Sequence, residues 1–201
     1  MRRFVVLGRR AIGSPDFSLN NLPASSGRLD VLVRCLRAAL LVSHGVRRDT
    51  IVYLVLLGTA DAPRVLRVDG PTARFLRPDE RSLAVIVQKA LAQPLEGPGF
   101  TTLRNGIAVA TGGLAAVLAD LGPGAPYLLD EGAPDLRELP LDAPDPVFFL
   151  GDDLGFDDAA RAAIAALAPT SASVGPLSLH AEDAIVLVAN ELDRREARLR
   201  L

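Results

Sequence analysis

Apolar residues along this chain come in short runs that switch between two periods. Phe4–Leu7 is apolar throughout and closes at Gly8; the polar, Asn-, Ser- and Pro-bearing stretch after it, as far as Pro23, predicts a strand followed by a connection. Ser25-Ser26-Gly27 then offers an N-cap. Leu29, Leu32, Val33, Leu36, Leu40 and Leu41 recur at helical spacing behind it, which predicts a helix running to Gly45. Arg28, Asp30, Arg34 and Arg37 take its other positions and give it a charged face. Thr50–Leu57, β-branched and apolar almost throughout, reads as a central strand covered on both faces, and Val65–Val68 as a shorter one. Asp79 caps a helix that places Leu83, Ile86, Val87, Ala90 and Leu91 on one side and stops at Pro94. Beyond it the pattern predicts a helix at Leu114–Leu121 and strands at Tyr127–Leu129 and Val147–Leu150. A helix at Asp158–Leu167, a small strand near Ser173-Val174 and a last helix from Ala181 to Arg198 complete the series.

Strands alternating with helices predict an α/β fold with a mainly parallel sheet flanked by helices. Gly97-Pro98-Gly99 is the clearest breaker, but elements continue at the same rhythm on either side, so it predicts a loop within one domain spanning all 201 residues. A hydrophobic share of 49% and a mean hydropathy of +0.27 exclude a disordered chain. The richest apolar runs fall far short of the roughly 20 residues a membrane-spanning helix needs. The N-terminal run lacks a small-residue cleavage site and reads as a first strand, which predicts a cytosolic protein. Cys35 is the only cysteine, so an intramolecular disulfide is excluded, and with His44 and His180 as the only histidines no zinc-site spacing is present. The expectation is metal-independent chemistry. A net charge of −2 does not by itself announce a nucleic-acid partner, although Lys89 is the only lysine and arginine otherwise supplies every cation.

In parallel α/β sheets ligands bind beyond the carboxyl ends of strands. Three such ends share glycine-bearing turn chemistry: Leu128-Leu129-Asp130-Glu131-Gly132, Leu150-Gly151-Asp152-Asp153-Leu154-Gly155, and Val174-Gly175-Pro176-Leu177-Ser178-Leu179. None is a dinucleotide or phosphate-loop fingerprint. Their main-chain groups are suited to an adenine edge approached closely.

The succession of Phe148–Gly155, a helix, Val174–Leu179 and a final helix resembles the C-terminal trefoil-knot region of the SPOUT superfamily of RNA methyltransferases. More narrowly, Ser25-Ser26-Gly27-Arg28-Leu29-Asp30, Pro78-Asp79-Glu80-Arg81-Ser82, Leu150-Gly151-Asp152 and Gly175-Pro176-Leu177-Ser178 are similar to the family of tRNA pseudouridine-54 N1-methyltransferases, from the first strand to the last helix. The resemblance implies a deep C-terminal knot, a homodimer and S-adenosylmethionine (SAM) as cofactor. It further implies cofactor contacts at Leu128, at Gly151, at Val174, Gly175, Pro176, Leu177, Ser178 and Leu179, and at Ala184. Archaeal members usually carry His-Cys where this chain has Asp183-Ala184, and a polar residue where Ala189 stands.

SAM is an activated methyl donor, so such an enzyme must chiefly align the sulfonium methyl with its acceptor and help a proton leave. Asp30 and Asp79 are the candidate proton acceptors. Arg28, Arg34 and Arg81 are candidates for holding the base or phosphates of an RNA, most simply tRNA. Asp79 also reads as a helix N-cap. Two other functions remain open on the sequence: methylation of a ribosomal RNA pseudouridine, and a non-catalytic RNA-binding or assembly dimer of the same fold. The apolar positions Ile185, Val188 and Leu192 of the last helix point to the dimer.

Overall fold

β1 (Arg2–Gly8) owes its central position to side chains that are apolar on both faces, and it pairs in parallel with both β4 (Thr50–Leu56) and β9 (Pro146–Gly151). The computed structural model describes residues 1–59 and 62–199. In it an eight-stranded sheet has the order β10-β8-β9-β1-β4-β5-β7-β6. β8 (Ala125–Leu129) and β10 (Thr170–Ala172) extend the parallel half beyond β9. On the other side β5 (Arg64–Asp69), β7 (Ile107–Thr111) and β6 (Thr101–Thr102) run antiparallel to their neighbours.

Alternation along the central strands separates two cores. Phe4, Val6, Val52, Leu54, Phe148 and Leu150 face one side, and Val5, Leu7, Tyr53, Val55 and Phe149 the other. A short turn of helix, α1 (Leu22–Ser25), and then α2 (Leu29–Leu40), α3 (Glu80–Leu91) and α6 (Ala181–Leu199) cover the first side; α4 (Gly113–Asp120) and α5 (Asp158–Ala165) cover the second. Cys35 is fully buried on α2, and burial pushes its thiol well above the usual range.

Several expectations need correction. The helix begun at Leu29 ends at Leu40, not Gly45, because residues 41–46 fold into a two-stranded hairpin of β2 (Leu41–Val42) and β3 (Gly45–Val46). Its N-terminus is capped by the hydroxyl of Ser26, which accepts from the Leu29 N–H at 3.1 Å, while Arg28 at the cap position itself has φ +69. The small strand lies at Thr170–Ala172, three residues before the predicted Ser173-Val174. Ile107–Thr111 and Thr101–Thr102 are strands that the sequence pattern did not place. Ile185, Val188 and Leu192 do not form an outer face: they are buried within the chain, and the exposed apolar residues of α6 are Val186 and Leu187. Among the described residues no helix is long and apolar enough to cross a membrane, and no group of three or more His, Cys, Asp or Glu side chains is placed to hold a metal.

Candidate functional site

The turns that follow β8, β9 and β10 converge on one side of the sheet's carboxyl edge. They enclose a cleft of about 1130 Å³ together with Arg28, Val31 and Arg34 of α2 and the first turn of α6. That exceeds the space a single small ligand needs, of order 300–1000 Å³. The volume leaves room for a cofactor and part of a second molecule.

Each turn is tied down by its own polar chemistry. After β9, the chain doubles back so tightly that a Cβ on Gly151 would lie 2.8 Å from the carbonyl carbon and Cα of Gly155. Only glycine fits there. Asp152 locks this turn to the end of β1: its carboxylate accepts the Arg9 N–H at 2.8 Å and the Leu154 N–H at 3.0 Å, and its own N–H donates to Leu7 O at 2.8 Å. After β8, Asp130 Oδ1 accepts the Gly132 N–H at 3.1 Å, and the Asp130 N–H donates to Ala172 O at 3.0 Å. After β10, the buried Ser173 hydroxyl donates to Gly175 O at 2.8 Å and accepts the Gly175 N–H at 3.2 Å. Gly175 has φ +152, a backbone setting L-residues rarely adopt. Ser178 Oγ donates to Glu131 Oε1 at 2.6 Å, joining the first turn to the third.

Leu128, Gly151, Val174, Gly175, Leu177, Ser178, Leu179 and Ala184 all line the cleft. Pro176 shares their loop without being part of the lining. At the start of α6 the N–H groups of Asp183 and Ala184 both donate to His180 O at 3.0 Å, so the Ala184 position is set by main chain and not by a side chain.

Arg28 and Arg34 reach the cleft wall with Asp30 behind them. Asp30 is buried and bonds Arg28 Nε at 3.0 Å and Arg34 Nη1 at 3.0 Å. Burial pushes its carboxyl up, but the two guanidiniums overcome this and hold it below the usual carboxylate range, so it is a weak base. Asp79 lies away from the cleft, exposed, accepting the Ser82 N–H at 2.8 Å as the N-cap of α3. Arg81 is also outside, donating to Asn20 Oδ1 at 2.7 Å and Leu19 O at 3.3 Å.

Among the cleft residues not named as site candidates on the sequence are Asp152, Ser173 and Glu182. Asp152 stands inside the Leu150-Gly151-Asp152 block, so a signal was there; burial raises its carboxyl above the usual range in spite of the two backbone N–H groups it accepts. Ser173 and Glu182 carried no local signal. Glu182 accepts Arg34 Nε at 2.7 Å across 148 positions of sequence, while its Oε2 is buried without a hydrogen-bond partner. Altogether three arginines line the cleft (Arg28, Arg34, Arg161) against six carboxylates (Asp130, Glu131, Asp152, Asp153, Glu182, Asp183). That balance favours a cationic ligand over a phosphate.

Residues 1–197 match the family described as "Putative SAM-dependent RNA methyltransferase". The chain is 42% identical over 197 residues to the tRNA (pseudouridine(54)-N(1))-methyltransferase of Methanosarcina mazei, covering 98% of this chain and 93% of that protein. It is also 42% identical over 196 residues to the enzyme of the same name from Halobacterium salinarum, covering 96% of each. Among solved structures, Archaeoglobus fulgidus Nep1 bound to S-adenosylhomocysteine superposes with a TM-score of 0.67 at 15% identity, over 98% of this chain and 99% of Nep1.

Proposed function

The chain belongs to the family of SAM-dependent RNA methyltransferases, and from that membership we propose that it transfers a methyl group to N1 of pseudouridine 54 in tRNA. The observation that carries the reading is the convergence of the three glycine-bearing turns on one cleft, in a chain that matches the curated relatives along nearly its whole length. The cleft fits SAM on its own chemistry. Its excess of carboxylates suits a ligand with a sulfonium and an ammonium group, and Leu128, Leu150 and Leu179 give its walls apolar surface for the adenine ring.

SAM supplies the activated methyl group. The protein's part is alignment and proton removal. The turn at Gly151 and the loop Val174–Leu179 would hold the adenosyl part through main-chain groups, with Glu182 and Asp183 on the cationic side. Arg28 and Arg34 line the cleft and would stabilise negative charge growing on the ring of an RNA base held there. Pseudouridine N1 must lose a proton, and Asp152 is the carboxylate suited to accept it: it lines the cleft, and its raised pKa makes it a better base than the doubly paired Asp30.

The reading extends to the deep trefoil knot of the SPOUT superfamily, supported by the likeness of fold to Nep1. It also extends to a homodimer in the cytosol. Support for the dimer comes from Leu177 and Leu179 at the cleft mouth and Val186 and Leu187 on α6, all apolar and exposed. The test is a methylation assay on two tRNAs that differ only in carrying pseudouridine or uridine at position 54, with nucleoside mass spectrometry. N1-methylpseudouridine from the first alone is expected. Absence of SAM binding at millimolar ligand, or methyl incorporation equal in both RNAs, overturns the proposal.

A further inference from the structure

Between β5 and α3 the chain does something energetically odd. Phe75 has φ +61 and leaves 82% of its surface in solvent, so an aromatic side chain is displayed from a left-handed backbone conformation that disfavours it. The loop is not slack there. Ala73 is fully buried, and its N–H donates to Asp69 O at 2.7 Å. Arg48 Nη1 donates to Gly70 O at 2.8 Å and to Ala73 O at 2.9 Å, and Leu76 packs against the core immediately afterwards. Phe75 is thus pushed outward between two anchored neighbours. Strain kept up by its surroundings in this way is a mark of a working surface.

Arg74 and Arg77 flank it one and two positions away in sequence; they and Arg104 are exposed, and none has an ion pair among the described residues, Asp79 acting on Arg77 only at longer range. Arg104 comes near because the Arg74 N–H donates to Asn105 O at 3.4 Å. An exposed aromatic ring with exposed, unpaired arginines at neighbouring positions is the composition that binds unpaired nucleic acid, the ring stacking on a base and the guanidiniums meeting phosphates. Because β5 is antiparallel to β4, its exit at Asp69 lies beside Ile51, not beside Leu56. Five residue steps of about 3.3 Å therefore set that exit roughly 17 Å along the strand from the carboxyl end of β4. Phe75 is not among the residues that line the cleft, and its stretch of chain meets the cleft wall at Glu80, beside Arg34.

We propose that Phe75, with Arg74, Arg77 and Arg104, is a second RNA-docking surface that stacks an unpaired base of the substrate away from the target nucleotide. The proposal rests on the RNA methyltransferase reading above. Its test measures tRNA affinity and methylation for the wild type, Phe75→Gly, Phe75→Trp and the double variant R74A/R77A, together with SAM affinity and thermal stability. Phe75→Gly is expected to weaken tRNA binding about 5- to 150-fold, as loss of one base stack does, with KM rising and kcat and SAM affinity unchanged. The same variant relieves the backbone and should hold or raise Tm, so a merely structural role is excluded by the opposite signs. Phe75→Trp should restore binding, and R74A/R77A should flatten the salt dependence by about one unit per lost phosphate contact. Wild-type methylation with unchanged tRNA affinity in Phe75→Gly overturns the docking surface and leaves the enzyme reading standing. A wild type that neither binds nor methylates RNA removes both. Binding of anionic vesicles through Phe75 with no change in RNA affinity reassigns the surface and likewise overturns the proposal.

Discussion

Arg34 holds three helices together at the cleft wall, and replacing it by alanine should loosen all three. Its guanidinium lies 3.0 Å from Asp30 of α2, 3.2 Å from Glu80 of α3 and 2.7 Å from Glu182 of α6. Removing one partner of a buried pair typically costs about 3–5 kcal/mol, because the other charge stays desolvated. Here the loss is smaller. Asp30 keeps Arg28, and Glu80, which is 40% exposed, contributes no more than about 1 kcal/mol. Glu182 decides the size, since its Oε2 already lacks a partner and Arg34→Ala would leave Oε1 without one too. About 2–3 kcal/mol is expected, a fall in Tm of roughly 4–12 °C for a chain of this length. Arg34→Lys should recover less than half of it, because an ammonium cannot reproduce a fork shared among three carboxylates. The effect also has a sign in pH. Asp30 is held below the usual carboxylate range when folded, so its contribution is complete above roughly pH 4 and is lost as pH falls through its folded value. Urea denaturation of wild type and Arg34→Ala should show the widest gap at pH 7 and a narrowing one toward pH 3. A gap under about 0.5 kcal/mol at pH 7, or one that fails to narrow in acid, refutes the account.

Further outcomes follow from the same geometry. Gly151→Ala places a methyl 2.8 Å from the backbone of Gly155, so the turn must open; SAM affinity by calorimetry should fall at least about tenfold while far-UV circular dichroism is retained, and unchanged affinity would mean this turn does not hold the cofactor. Asp152→Asn replaces one of the two oxygens that accept backbone N–H groups by a donor, so SAM affinity should fall together with kcat. It should also erase the acid limb of the pH–rate profile, which in the wild type falls as pH drops through a carboxyl pKa raised by burial; a surviving limb would point to another base. Asp193→Ala strips Arg2, at 2.8 Å, and Arg47, at 2.7 Å, of a shared carboxylate. About 2–3 kcal/mol of stability should disappear in chemical denaturation, because Arg2 is buried and keeps only Asp49, the more distant Glu196 and the Ala189 carbonyl as partners.

Long, unambiguous periods were what could be read in advance: the apolar run from Phe4, the helices begun at Leu29 and Asp79, and the run from Thr50. The three strand-end turns were also visible, since glycine directly after an apolar run marks the place where a strand stops and the chain turns. Ile107–Thr111 was not, although Asn105-Gly106 and Gly112-Gly113 bracket it; five residues alone do not separate a strand from the helix that starts two residues later. Leu41 continued the helical period by chance and hid a hairpin. Thr170–Ala172 has only one buried residue and no apolar run, so its pairing with β8 shows only in three dimensions. Within the site, the convergence of the turns could be anticipated because ligands gather at the carboxyl ends of parallel strands. The pairing of Arg34 with Glu182 was invisible, since ionic partners so far apart leave no spacing to detect.

The bond between Arg2 and Asp193 joins the second residue of the chain to one 191 positions later, within the last helix. On a ribosome, the central strand is thus made well before the segments that complete its surroundings. It waits for β9 at one edge, and the apolar face of α2 waits for α6 to lie across it. A nascent chain short of its final twenty residues or so would leave Leu32, Leu36 and their neighbours uncovered, so truncation from the C-terminus should produce aggregates in place of a smaller soluble protein.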